Sequence, residues 1–263
     1  MQTIYEGAHS IIFGTKHSWE DWGLVPASLP TVALPEVNTN VIEIPGANGI
    51  VDLTESLLGY PTYKTRNGSW SFKMAHDVTG LPWAEAYSAI AAYLHGRKMS
   101  CTLLDDRAYY YIGRFTIDEL KTDKMCNSLT IQYELDPFKR LLWTTTEPWP
   151  WDPFDFIYGV INRDEFVDLA VSTANPLHLV WSQTQLGCTP IYPKITCTLT
   201  SGDSMTLKYT NSANGLGEQT FTLTGGVNEN PQIEFACPNP GDTTTIDITG
   251  NGTVSIDFRP GGL

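Results

Sequence analysis

Hydrophobic and polar residues alternate most regularly between positions 69 and 140, where the pattern predicts a strand, a helix, a hairpin and a further strand. The first strand has large apolar residues at every second position, with polar residues between them: Trp70, Phe72 and Met74. Asn67 and Gly68 precede it, and this pair is typical of a tight turn. We therefore expect a strand that begins after the turn and has one solvent-facing side.

One segment has helical periodicity. Its large apolar residues recur at intervals of three and four: Trp83, Tyr87, Ile90 and Leu94. Pro82 stands where the first helical residue can be a proline, and Gly96 stands where a left-handed residue can end a helix. The pattern predicts a helix over residues 82–95 that packs as a lid on a sheet.

The other strands of this sheet follow at once in the sequence. Alternating apolar residues predict strands at residues 99–104, 109–117 and 129–135. The segment between the last two has the composition of a charged hairpin tip: Lys121, Thr122, Asp123 and Lys124. We expect residues 1–140 to form an N-terminal domain that resembles a β-sandwich and contains one helix.

From Val167 onward the pattern has a period of two, and turn signals break it at near-regular intervals. Seven short alternating runs are present, at residues 177–181, 195–199, 205–209, 221–223, 233–235, 246–248 and 254–258. Such a series without helical periodicity predicts a β-sandwich. We place this second domain at residues 141–263, and the predicted fold class is mainly β.

Aromatic residues and prolines are interleaved where the two predicted domains meet. Trp149 and Trp151 lie in this seam with Pro148, Pro150 and Pro153, so the segment is expected to be stiff and extended. Aromatic side chains need a surface to pack against. The seam therefore either joins the second domain to the first, which we favour, or forms a platform for a glycan or a protein partner.

Charge narrows the possible functions. The net charge of the 263 residues is −13, and residues 141–263 contain only four Lys and Arg against thirteen Asp and Glu. Nucleic-acid affinity comes largely from cations that neutralise phosphates, so a protein that grips nucleic acid is disfavoured. We find no apolar stretch long enough to span a membrane and no basic start of a secretory signal, so we expect a cytoplasmic protein without membrane insertion.

The sequence contains no recognisable catalytic motif. Its five cysteines form no C-x-x-C pair and its five histidines are widely separated, so we predict reduced structural thiols, lone histidines and no metal or cofactor. A glycosidase needs two carboxylates, and the pairs considered for that role are Asp152 with Asp155, or Asp164 with Glu165. Acidic residues in a chain of this charge are usually solvated, so we expect no catalytic residues and no enzyme.

The order of these parts resembles the distal tail protein family of siphophages, particularly those that infect Gram-positive bacteria. The likeness covers nearly the whole chain and rests on the following features: the helix at 81–96, the long hairpin, Trp19 to Gly23, Asp136-Pro137-Phe138-Lys139-Arg140, Trp149 to Phe154, and the end of the sandwich at Ile256 to Arg259. The resemblance implies a galectin-like or jelly-roll C-terminal sandwich.

The resemblance also implies a structural role. Proteins of this family form a hexameric ring at the tail tip of the virion, assembled in the host cytoplasm, that joins the tail tube protein to a baseplate hub protein and holds receptor-binding or adsorption proteins. DNA passes through the ring without specific binding, and an acidic chain would not retain it. Residues 121–124 then become our candidate for a contact with a neighbouring subunit, although a solvated tip is the simpler interpretation.

Two other functions stay open. The sandwich would be a carbohydrate-binding module if it presented Trp149, Trp151 or Trp181 to a cell-wall glycan. It would be a glycan hydrolase if one of the acidic pairs flanked a sugar. No clear set of residues at galectin spacing is present to support sugar binding, and fold alone does not establish function.

Overall fold

A computed structural model of the chain describes residues 9–46, 48–74, 80–119, 127–146, 166–200 and 204–263, together with the backbone of residues 154–155 and 160–161. The chain forms two compact units. Unit 1 consists of Met1–Val37 and Tyr63–Lys139, and unit 2 consists of Asn38–Thr62 and Arg140–Leu263. Residues 38–62 therefore group with the C-terminal part of the chain, which the sequence pattern does not reveal.

The described residues are mainly β, as predicted. The strands in chain order are β1 (Ile11–Phe13), β2 (Lys16–His17), β3 (Leu24–Pro26), β4 (Val41–Glu43), β5 (Ile50–Asp52), β6 (Arg66–Met74), β7 (Lys98–Leu103), β8 (Tyr109–Ile117), β9 (Ser128–Leu135), β10 (Lys139–Leu141), β11 (Phe154–Asp155), β12 (Val160–Ile161), β13 (Leu169–Val171), β14 (Leu177–Ser182), β15 (Lys194–Leu199), β16 (Met205–Asn211), β17 (Gln219–Leu223), β18 (Gly226–Glu229), β19 (Thr243–Thr249), β20 (Gly252–Asp257) and β21 (Gly261–Gly262). The α-helices are α1 (Trp83–Leu94) and α2 (Gln183–Leu186), and a single 3₁₀ turn covers Leu104–Asp106.

Unit 1 is built on an antiparallel sheet with the strand order β2-β1-β7-β8-β9-β6-β3. Its alternating residues place one face in a core that is rich in aromatic rings, as the period of two predicts. Phe13 and Phe115 meet edge to face at 5.2 Å between ring centroids, and Trp70 lies 4.2 Å from Tyr133. Large aromatic side chains therefore fill the core on this side of the sheet.

Helix α1 confirms the helical prediction. Pro82 is its N-cap and His95 its C-cap, and Gly96 follows with a φ of 75°. Ile90 and Leu94 are buried in the core of unit 1, while Trp83 and Tyr87 pack on its edge. The helix is thus held by packing of its apolar face, since a helix of this length is marginal alone in water.

The turn predicted at Asn67 and Gly68 is wrong. Both residues lie within β6, opposite Glu134 and Tyr133 of β9. A Cβ atom added at Gly68 would lie 2.3 Å from the Tyr133 hydroxyl oxygen. Glycine is present here because the Tyr133 ring crosses the strand, and the local sequence contains no sign of that contact.

Unit 2 contains two four-stranded antiparallel sheets, with the orders β13-β20-β15-β18 and β14-β19-β16-β17. Their inner faces share one apolar core, which confirms the predicted sandwich. Six of the seven predicted runs are strands. The seventh, at Ile233 and Phe235, is buried but forms only an isolated bridge from Phe235 to Ile191.

The second half also contains one helical turn that the period-two pattern does not predict. In α2, the Ser182 and Gln185 side chains form a reciprocal capping box. Gly187 ends the turn with a φ of 78°, and a Cβ atom there would lie 1.6 Å from the Gly261 carbonyl oxygen. This close approach brings the segment after α2 against the end of the chain.

The four described cysteines are free thiols. Cys101, Cys197 and Cys237 are buried, and burial raises the pKa of each thiol above its ordinary value. Buried, protonated thiols of this kind behave as small hydrophobic residues.

Candidate interaction surfaces

Most of the interaction residues predicted from the sequence lie outside the described residues. This applies to the hairpin tip, Lys121, Thr122, Asp123 and Lys124, and to Trp149 and Trp151 of the seam. The side chains of the acidic pairs, Asp152 with Asp155 and Asp164 with Glu165, lie outside them as well. Their roles remain predictions.

Trp181, the third residue of the predicted glycan platform, lies in the core of unit 2 and is only 2% exposed. Its ring is 4.7 Å from that of Phe235 and 5.5 Å from that of Phe166. It also borders a cavity of about 230 Å³ beside Phe166 and Phe258. Trp181 therefore packs the sandwich and presents no open ring face to solvent.

The hairpin of β4 and β5 exposes a group of large apolar side chains. Ile42 pairs with Val51, and Glu43 pairs with Ile50. Every residue of both strands is exposed, and the large apolar side chains retain two-fifths or more of their accessible surface: Val41, Ile42, Ile50 and Val51, with Ile44 just beyond β4. Contiguous apolar surface of this kind is a mark of interaction sites.

Polar contacts join the two strands of the hairpin at the end away from its turn. The Thr54 Oγ1 atom accepts a hydrogen bond from the Asn40 backbone N–H at 3.1 Å, and the Leu53 N–H donates to the Asn40 carbonyl at 2.8 Å. The Asp52 carboxylate accepts the Thr54 N–H at 2.9 Å, and its hydrogen bonds to Thr54 lower the pKa of Asp52. These bonds fix the strand register without covering the apolar side chains.

A group of tyrosines around Glu234 belongs to the same unit as the hairpin. Burial and the Glu234 carboxylate raise the pKa of Tyr60, and the same two causes raise the pKa of Tyr192. The Tyr209 hydroxyl donates to the Glu234 backbone carbonyl, and the Asn211 amide donates to the same oxygen at 3.1 Å. Tyr60 of segment 38–62 therefore lies beside Glu234 of the sandwich.

Two of the described histidines, His9 and His178, lie beside a carboxylate, which the prediction of lone histidines did not include. His9 Nδ1 lies 2.9 Å from the Asp105 carboxylate, and His178 Nδ1 lies 2.5 Å from that of Asp247. Both pairs are exposed. Within the described part of the chain, no three His, Cys, Asp or Glu side chains cluster so as to hold a metal ion. None of its helices has the length and apolarity to cross a membrane.

Comparison with known proteins shows a likeness among solved structures. No protein-family model matches the chain, and no curated protein matches its sequence. Among solved structures, the chain is similar to the Dit protein (gp 19.1) of SPP1, described as a paradigm of the hub adsorption apparatus in phages that infect Gram-positive bacteria. The identity is 12% and the TM-score 0.60, over 97% of this chain and 100% of that one. At this identity the likeness establishes a shared fold.

Proposed function

We propose that this protein is a non-enzymatic structural component of a phage tail that acts as a hub of the adsorption apparatus. The observation that carries the proposal is the extent of the likeness to SPP1 Dit, which spans the full length of that chain and nearly all of this one. A likeness limited to one sandwich would carry little information, because such folds serve many functions. The likeness covers both units of the chain, so the proposal rests on the whole architecture and not on a single sandwich.

The finer proposal is a hexameric ring at the tail tip of the virion. It joins the tail tube protein on one side to a baseplate hub protein on the other, and it anchors receptor-binding or adsorption proteins. Ring size and these partners come from the family resemblance in the sequence. An acidic chain with a net charge of −13 fits a ring through which DNA passes, since few cations are available to retain the polyanion.

Within this proposal, the β4–β5 hairpin contacts a second copy of the chain. Its strands contain consecutive apolar residues, Val41-Ile42 and Ile50-Val51, and such strands are typically covered on both faces in the completed protein. A permanent interface between identical subunits is also more apolar than transient ones. The tip at residues 121–124 is the second proposed contact between subunits.

The first experiment measures the mass of the purified full chain by light scattering over a concentration series, followed by negative-stain imaging of the main peak. The ring predicts a mass six times the 29.2 kDa of one chain and annular particles. A chain that stays at 29.2 kDa at every concentration, and also when mixed with its tail tube protein, would contradict the ring.

A carbohydrate-binding module is the alternative from the sequence, with its glycan platform in the seam. Since Trp181 is buried, that platform depends on Trp149 and Trp151. The test compares cell-wall binding by the full chain with binding by a variant carrying Trp149→Ala and Trp151→Ala. Equal binding by both proteins would exclude the platform and leave the hub proposal untouched.

A further inference from the structure

A cavity of about 340 Å³ lies in unit 2, where three separate segments of the chain meet. Residues 140–144 form one wall, residues 189–194 a second, and residues 257–259 at the end of β20 a third. The second wall is positioned by Gly187, whose backbone lies against Gly261. Tertiary structure therefore assembles this cavity from residues that are distant in sequence.

The cavity concentrates the positive charge of an acidic unit. Unit 2 contains sixteen Asp and Glu but only five Lys and Arg, and three of those five line this cavity: Arg140, Lys194 and Arg259. Within the described part of the chain, neither Arg140 nor Lys194 forms an ion pair. Cations that gather in one cavity of an otherwise acidic unit form an electrostatic site for an anion.

Arg259 is fixed in position. Its guanidinium donates to the backbone carbonyls of Leu141 and Leu142, at 3.3 Å for Leu141. These bonds tie the arginine to the first wall of the cavity, so little side-chain entropy is lost when a ligand binds beside it.

Two buried polar atoms in the same cavity have no hydrogen-bond partner among the described residues. They are the Oγ1 atom of Thr189, a residue that is 3% exposed, and the Oδ1 atom of Asp257. Buried polar atoms in folded proteins nearly always have a partner, and exceptions mark functional sites or missing ligands. A bound molecule with hydroxyl groups would supply the donor that Asp257 lacks and the partner that Thr189 lacks.

The arrangement of these groups also indicates the shape of the ligand. Lys194 and Asp257 stand directly opposite each other in the register of β15 and β20, so a cation and a carboxylate lie side by side. Tyr192 at the border of the cavity is 59% exposed, and its hydroxyl donates to Glu234 at 3.2 Å. The ring of Tyr192 is thus held in place with surface free to contact the apolar face of a sugar or polyol.

We propose that this cavity binds an oxyanion carried on a hydroxyl-bearing molecule, that is, a sugar acid or a polyol phosphate. Arg140, Lys194 and Arg259 bind the oxyanion, while Asp257 and Thr189 bind the neighbouring hydroxyl groups. The Asp257 carboxylate disfavours a bare inorganic anion, since it needs a hydrogen-bond donor nearby. The volume falls within the range of small-molecule sites. The proposal is independent of ring formation, because all the residues involved belong to one unit of one chain.

The first test measures binding of glucuronic acid and of glycerol phosphate to the full chain by titration calorimetry, with glucose and inorganic phosphate as controls. We expect one of the first two to bind at millimolar concentrations or below, with affinity that falls as salt is added. The two acids separate a carboxylate source from a phosphate source.

Matched variants then locate the site. Lys194→Gln is expected to weaken binding by about tenfold, the value of one charge-assisted hydrogen bond. The control is Lys208→Gln, which removes another exposed lysine of the same unit. Lys208 does not line the cavity, and its Nζ atom lies 2.8 Å from the Glu218 carboxylate. This variant is expected to leave the affinity unchanged. Equal losses in the two variants would mean that net charge and not the cavity holds the anion, and would overturn the proposal.

Thr189→Val provides a second readout. Without ligand, we expect the thermal midpoint to rise, because valine replaces a buried hydroxyl that lacks a partner with a methyl group of the same shape. With ligand, we expect the stabilisation seen in the unchanged protein to be reduced. A lower midpoint together with full ligand stabilisation would show that the hydroxyl serves the fold alone. Failure of both acids to bind would overturn the proposal whatever the state of assembly.

Discussion

Two hairpins of this protein have similar apolar content and opposite burial. From Arg114 to Ile117 of β8 and along β9, apolar residues alternate with polar ones, and Phe115, opposite Tyr133, lies in the core with no exposed surface. In β4 and β5 the apolar residues are consecutive, and Ile42 opposite Val51 is 49% exposed. Alternation lets one face be buried within the chain. Consecutive apolar residues occupy both faces, and such a hairpin needs a partner to cover it.

The alternating hairpin is expected to show the largest effect on stability. Phe115→Ala should lower the free energy of unfolding by about 3–5 kcal/mol, because it removes a fully buried ring and leaves a cavity between Phe13 and Trp70. Urea denaturation followed by tryptophan fluorescence measures the change. Thr116→Ala, on the opposite face of β8, is the control and should cost less than about 1 kcal/mol. Similar losses in both variants would contradict one-sided burial of this hairpin.

A smaller effect is expected where a carboxylate stabilises a loop. The Asp21 carboxylate accepts a hydrogen bond from the His17 N–H and one from the Lys16 ammonium group, each at 2.7 Å, and these bonds lower the pKa of Asp21. A lowered pKa contributes stability above the ordinary value of 3.8, and that contribution is lost as the pH falls through the folded-state value. Asp21→Asn should therefore cost about 1 kcal/mol near pH 7.

The pH dependence separates this effect from simple loss of packing. The difference in stability between the unchanged protein and Asp21→Asn should shrink as the pH falls below about 3.8, when both side chains become neutral. Asp52→Asn is the matched control, because Asp52 also has a lowered pKa but lies in the exposed hairpin, bonded to Thr54 alone. We expect a smaller loss for it. A difference that is constant with pH would contradict the assignment to Asp21.

Sequence periodicity predicted the elements in which apolar residues recur at regular intervals. The strands β6 to β9, helix α1 and six strands of the sandwich follow from periods of two and 3.6, because each buries one face in its own unit. The turn prediction at Gly68 failed because the reason for that glycine, Tyr133, is distant in sequence. Helix α2 was missed although its capping box, Ser182 and Gln185, stands in the sequence, since one turn has no periodicity to detect.

The functional surfaces were harder to predict than the fold. The cavity of unit 2 combines Arg140, Lys194 and Arg259, and no local pattern shows that these cations meet. The apolar residues of β4 and β5 were visible, but a strand exposed on both faces cannot be told from a buried one by hydrophobicity alone. Trp181 shows the converse error, because a tryptophan considered for a surface platform packs the sandwich core.

The smallest change in stability is expected for substitutions in the exposed β4–β5 hairpin. Ile42→Ser combined with Val51→Ser should alter the free energy of unfolding of one chain by less than about 0.5 kcal/mol, since neither side chain is buried within it. The same variant should fail to assemble, because it removes the apolar surface proposed to contact a second copy. Light scattering measures the mass, and urea denaturation at low concentration measures the stability.

Val180→Ser with Val227→Ser is the matched control for this prediction. These two valines are also exposed apolar residues of unit 2, on β14 and β18, but each stands on a sheet that is buried on its other face. The control should therefore be stable and should still assemble. A hairpin variant that loses several kcal/mol would mean that the chain itself covers β4 and β5. A hairpin variant that keeps the mass of the unchanged protein would mean that the subunits meet elsewhere. The exposed β4–β5 hairpin would then be covered by a partner other than a second copy of the chain.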